Sequence, residues 1–134
     1  MQLVAYLNFP GTAREAMDFY AAAFGGKVTQ RFTYGESPMA GQMPEAARGN
    51  VMHSQVEVGS ALIMGADGPP PHEAGSTTIN VMPDTPEAAE RIFTALSSCG
   101  EVTMPLEETF WAYRFGAVTD KFGKHWMVNC LKPM

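Results

Sequence analysis

Cysteine is scarce in this chain: Cys99 and Cys130 are the only two among 134 residues, and they form no CxxC pattern. A structural zinc site therefore lacks its ligand set, and the pair reads as two reduced thiols of a cytoplasmic protein. Basic residues are also in deficit. Nine Lys and Arg stand against 14 Asp and Glu, a net charge of −5, with no basic cluster. Phosphate-rich partners need a positive surface, so broad binding to nucleic acid or acidic membranes is excluded. No apolar run approaches the roughly 18 residues of a membrane span. Met1-Gln2-Leu3-Val4 lacks a basic segment followed by a long apolar one, so no secretory signal is expected. A nucleophile elbow, a phosphate-binding P-loop and Ser-His-Asp spacing are missing as well. What remains is 46% hydrophobic and 17% charged, the balance of one globular domain large enough to bury a core.

The chain opens with a strand over 3–9. Leu7 and Phe9 alternate with Tyr6 and Asn8, which puts Tyr6 and Asn8 on the face turned away from the following helix. Thr12 with Glu15 three residues on predicts a capping box. Ala16, Phe19, Tyr20, Ala23 and Phe24 then recur at helical spacing until Gly25-Gly26. A strand over 27–34 leads into a long connection, 35–50, with a helical turn expected at 44–48; its length suits a flap over a site. Segments 51–58 and 61–64 form a hairpin about Gly59-Ser60, and 65–75, with Pro69 to Pro71, reads as a linker. The pattern then restarts. A strand over 76–82 precedes a helix opened by Thr85-Pro86-Glu87, with Ala89, Ile92, Phe93 and Leu96 on its apolar face and Gly100 at its end. Strands follow over 101–106, 113–119 and 124–130, the last two joined by Asp120-Lys121-Phe122-Gly123.

The halves match in detail. Thr12, Ala16, Phe19 and Tyr20 answer Thr85, Ala89, Ile92 and Phe93, and Gly26-Lys27-Val28-Thr29 answers Gly100-Glu101-Val102-Thr103. Each half reads βαβββ. A helix covers one face of such a unit's sheet, and the other face needs a partner. The expectation is a single α+β domain: module one about 1–66, a linker about 67–75 and module two about 76–134, with a paired mixed sheet enclosing a cleft. The stretch 107–130 holds Trp111 and Trp126 together with Phe110, Tyr113 and Phe115, an aromatic density that suits a pocket lining.

Tyr6 to Phe9 before Gly11, Phe19-Tyr20, Phe24 to Gly26 and Met52-His53 form one set of matching residues. Glu108 to Trp111, Arg114 to Gly116, Thr119-Asp120, Phe122-Gly123 and Trp126 to Cys130 form the other. On these the chain resembles the PhnB-like branch of the vicinal oxygen chelate superfamily, which includes glyoxalase I, bleomycin-resistance proteins and extradiol dioxygenases. The resemblance implies the glyoxalase/bleomycin-resistance fold, a small-molecule ligand and a homodimer. Members of this branch have been labelled ubiquinone-pathway methyltransferases, but Gly25-Gly26 follows a helix instead of opening one, so no Rossmann-type turn is present.

Metal-dependent members place His, Glu or Gln on the first and last strands of each module, where a divalent ion polarises the substrate. The corresponding positions here are Val4 or Ala5, Thr78, Leu62, Ile63 or Met64, and Met127, none a usual ligand. The expectation is therefore no metal and no cofactor, and a metal-independent small-molecule-binding protein. The alternative is a glyoxalase- or dioxygenase-type lyase, isomerase or oxidoreductase with a non-standard metal site. Candidate catalytic residues are His53 and Glu57, which share a strand face with Gln55; a solvated sheet edge would show the same pattern. The candidate ligand-binding residues are Tyr6, Asn8, His53, Asn80, Trp111, Arg114 and Trp126. Arg114, set among aromatics, either clamps an anionic group or pairs with Glu107 or Glu108. Asn80 is the repeat partner of Tyr6. His125 and His72 read as surface residues.

Overall fold

The computed structural model describes residues 1–133. They fall into two compact units, Met1–His72 and Glu73–Met134. The first contains β1 (Tyr6–Phe9), α1 (Ala13–Phe24), β2 (Lys27–Thr33), β3 (Val51–Val58) and β4 (Ala61–Asp67). Its sheet runs β1-β4-β3-β2, with β1 parallel to β4 and the other pairs antiparallel. The second repeats the plan with β5 (Ile79–Val81), α2 (Pro86–Ser97), β6 (Glu101–Glu107), β7 (Ala112–Thr119) and β8 (His125–Leu131), ordered β5-β8-β7-β6 with β5 parallel to β8. The βαβββ reading holds in both halves. No helix of the described residues is long and apolar enough to cross a membrane.

Each helix packs on its own sheet; α2 buries its predicted stripe, whereas α1 leaves Phe19 and Phe24 of its predicted stripe half-buried and buries Met17 and Ala21 as well. In α1 the buried residues are Ala13, Ala16, Met17, Tyr20, Ala21 and Ala23, above Phe9, Val51 and Val56 of the strands. In α2 they are Ala89, Ile92, Phe93 and Leu96, above Ala112, Val118, Trp126 and Val128. Burial of each large apolar side chain contributes roughly 1.5–3 kcal/mol. After each helix a glycine lets two strands close up. A Cβ on Gly26 would lie 2.4 Å from the Glu57 carbonyl oxygen, and one on Gly100 would lie 2.5 Å from that of Thr119.

Several features differ from the sequence reading, beginning with the first strand, which covers Tyr6–Phe9 of the expected 3–9. The capping box of α1 does not form: Thr12 makes no side-chain cap bond. The strand expected over 76–82 shortens to Ile79–Val81, since β8 offers partners only to those residues. β4 runs to Asp67, which takes the start of the expected linker into the first sheet. Finally, the left-handed residue after α2 is Cys99 at φ 58°, whereas Gly25 at φ 72° fills that role after α1.

Candidate functional site

The face of the first sheet turned away from α1 carries the candidate chemistry. Register sets Tyr6 beside Met64 and Met64 beside Gln55, and places Phe32 opposite His53. β3 bulges at Met52: Thr33 pairs with Val51 while Phe32 pairs with His53. The extra residue sends His53 to the face opposite buried Val51, the re-aiming that a bulge supplies. Tyr6 Oη lies 3.2 Å from His53 Nδ1, and the Phe32 ring stacks 6.5 Å from the imidazole at 20°. Tyr6 is 53% exposed and Phe32 47%, so this cluster is open to a ligand. Partial burial, and secondarily Tyr34, push the Tyr6 phenol above its ordinary pKa. A neutral phenol that donates to Nδ1 selects the His53 tautomer with its proton on Nε2.

Glu57 does not stand behind His53. It accepts a hydrogen bond from Gln55 Nε2 at 3.4 Å. Four residues of strand put it about 13 Å from His53, too far to orient the ring. Asn8 lies on the same face but spends its amide protons on the chain itself, donating to Pro69 O at 2.6 Å and Pro71 O at 3.0 Å. It positions the proline segment.

In the second unit Trp111 is half-buried, edge-on to Phe110 at 4.8 Å and to Phe115 at 5.2 Å. Arg114 forms its salt bridge with Glu90 of α2 at 3.1 Å and donates to Tyr113 O, and it acts on Glu108 only as a minor electrostatic neighbour. Glu108 instead meets Lys132 at 2.8 Å, which holds its carboxyl below the usual range. Trp126 corrects the sequence reading: it is 1% exposed and donates Nε1–H to Asp120 Oδ2 at 2.7 Å, so it packs the core, out of a ligand's reach. Asn80 is exposed on β5 beside Met127. His125 Nδ1 meets Thr119 Oγ1 at 2.9 Å, and His72 donates Nε2–H to Gly68 O at 2.7 Å, so both are more engaged than expected. Thus the structure joins Tyr6 with His53, and sets Asn8, Arg114 and Trp126 to other work.

Sequence reasoning passed over Asp67. It is 4% exposed, and its carboxylate accepts from the backbone N–H of Gly11, Ala13 and Val51, each at 2.9 Å. It therefore caps α1 from a distant strand and complements the helix dipole. No local signal marks it, because its partners lie 16 to 56 residues away. Lys124 was also missed; it is buried, which lowers its pKa, while Asp120 and then Glu73 oppose that shift.

The superfamily's metal site does not fit these residues. Val4 or Ala5, Thr78, Leu62 to Met64 and Met127 offer only aliphatic, thioether and hydroxyl groups, and no three His, Cys, Asp or Glu side chains converge among the described residues.

A family model settles the ancestry: that of the Glyoxalase/Bleomycin resistance protein/Dioxygenase superfamily matches residues 3–128. The chain belongs to this superfamily. Protein YjdN of Escherichia coli is 32% identical, over 98% of this chain and 97% of its own. Among solved structures, protein PA1353 from Pseudomonas aeruginosa shares 38% identity at a TM-score of 0.88, with 99% of each chain covered. A Bacillus cereus PhnB protein, titled a putative 3-demethylubiquinone-9 3-methyltransferase, shares the fold at a TM-score of 0.78 and 23% identity, over 97% of this chain and 99% of its own. At that identity the structure shows the shared fold. Its title does not carry over: in this chain Gly25 ends α1, where a Rossmann-type methyltransferase needs glycines opening a helix.

Proposed function

We propose that this superfamily member is a metal-independent small-molecule-binding protein, cytoplasmic and homodimeric. The observation that carries the reading is a contrast in side-chain chemistry. Apolar and small residues stand at the superfamily's metal positions, while Tyr6, His53 and Phe32 form an exposed hydrogen-bonding and aromatic cluster on the face that also holds Met64. Recognition then rests on stacking and on directed hydrogen bonds, with His53 Nε2–H as a donor set by Tyr6. Within the second unit taken by itself, Asn80 and Trp111 are the candidates for ligand contacts. Arg114 would have to leave Glu90 to join them.

Metal content measured on protein purified without a histidine tag tests the first half of this reading. Less than a tenth of an equivalent of zinc, nickel, iron or manganese is expected. Stoichiometric metal, or chelator-sensitive turnover in a glyoxalase or dioxygenase assay, would sink it in favour of the enzyme alternative. A thermal-shift screen of a metabolite library tests the second half. A stabilising compound should lose at least tenfold in affinity on Tyr6→Phe or His53→Ala, and light scattering should give twice the chain mass.

A further inference from the structure

A cleft of about 450 Å³ opens in the first unit between the start of α1, the β2–β3 connection and the proline segment. Its lining includes none of Tyr6, Phe32 and His53, and it does not depend on that reading. Its apolar wall includes Pro10, Met43, Ala47 and Pro69. Three observations say that this is built space. The connection over 34–50 folds into three 3-10 turns, Tyr34–Glu36, Ala40–Gln42 and Glu45–Ala47, and is pinned at its base by Tyr34 N–H to Asn50 O and Gly35 N–H to Arg48 O. The proline wall is held by Asn8, and Tyr34 Oη donates to Asp67 O at 2.8 Å. The equivalent connection of the second unit, 108–111, has only four residues.

The polar groups define what the cleft takes. Asp67 is its one acidic lining residue, and three backbone N–H groups already bond its carboxylate, two at Oδ1 and one at Oδ2, so most of its acceptor capacity is spent before a cation could use it. An anion would meet that same carboxylate where a helix N-terminus would otherwise attract it. The Asn50 carboxamide, by contrast, makes no bond to the other described residues and offers an acceptor beside a donor. We infer that this cleft binds an uncharged, planar small molecule carrying adjacent hydrogen-bond donor and acceptor groups, an amide or lactam edge, paired with Asn50 and sandwiched by Pro10, Met43 and Pro69.

Two-dimensional amide NMR of the full chain tests this with four probes: neutral benzamide and 2-pyridone, anionic benzoate and cationic benzamidinium. The neutral pair should give saturable shifts at the Gly11 and Gly68 amides and the Asn50 side-chain amide, with the charged pair at least tenfold weaker. Asn50→Leu, which removes both polar groups, and Ala47→Leu, which fills the cleft, should each abolish those shifts while melting cooperatively. Tyr6→Phe should leave them unchanged, which separates this site from the exposed sheet face. Absence of saturable shifts at these positions, equal binding of benzoate or benzamidinium, or undiminished binding in a folded Asn50→Leu or Ala47→Leu protein overturns the assignment.

Discussion

The two units share element order, strand order and a threonine before each helix, yet the helices are anchored by different means. Thr85 Oγ1 accepts from Ala88 N–H at 3.1 Å, and Pro86 opens α2. Thr12 makes no such bond; Asp67 reaches across from β4 and takes the N–H groups of Gly11 and Ala13 instead. Each unit also buries one aspartate that accepts three N–H groups. Asp120 serves its own turn and neighbour, Phe122, Lys124 and Trp126, whereas Asp67 ties α1 to the start of β3. A cap made within one turn is autonomous. A cap supplied by another strand exists only once the sheet has formed, and it makes helix and sheet cooperative.

The contrast can be broken by substitution, and the largest effect is expected at Asp67. Asp67→Ala strands two donors at the helix start and one on β3, at a cost of about 3–5 kcal/mol, read by urea denaturation. A loss under about 1 kcal/mol would show that water replaces the carboxylate. Next come the paired glycines. Gly26→Ala and Gly100→Ala each force a Cβ against a backbone carbonyl and should cost about 2–3 kcal/mol. Matching losses would show that the repeat preserves this contact, and unequal ones that one unit yields more easily. The threonines should then separate: Thr85→Ala costs about 1 kcal/mol and Thr12→Ala under about 0.5 kcal/mol by the same measurement. The smallest effect has the opposite sign. Cys99 holds a left-handed conformation while exposed, so Cys99→Gly should stabilise by about 0.5–1 kcal/mol, and Gly25→Ala, at its counterpart, should destabilise by a similar amount. Thermal unfolding of the two proteins side by side resolves the signs.

Much of this was legible in the chain. The stripe Ala16, Tyr20 and its repeat Ala89, Phe93 reports helix burial directly, because a helix returns to the same face every three or four residues. The alternation of Tyr6 and Asn8 with Leu7 and Phe9 reports the sheet face for a similar reason. Individual roles were less visible. Trp126 and Trp111 look alike in sequence, but one is sealed against Asp120 and the other is half-buried beside Phe110. His53 alternates with Gln55 and Glu57, yet its partner is Tyr6, 47 residues earlier, and its orientation follows from a bulge that composition does not announce.

The sequence by itself determined the repeated βαβββ plan, the buried face of α2 and most of that of α1, and the local cap of α2. These depend on periodicity, residue type or contacts within a turn. Only the tertiary structure decided that Asp67 caps α1, that Asn8 braces a proline wall, that Arg114 goes to Glu90 and that the long connection frames a cleft. Each of these joins groups far apart in the chain, and such pairs meet only after strand register has fixed which backbone donors and side chains stand opposite one another.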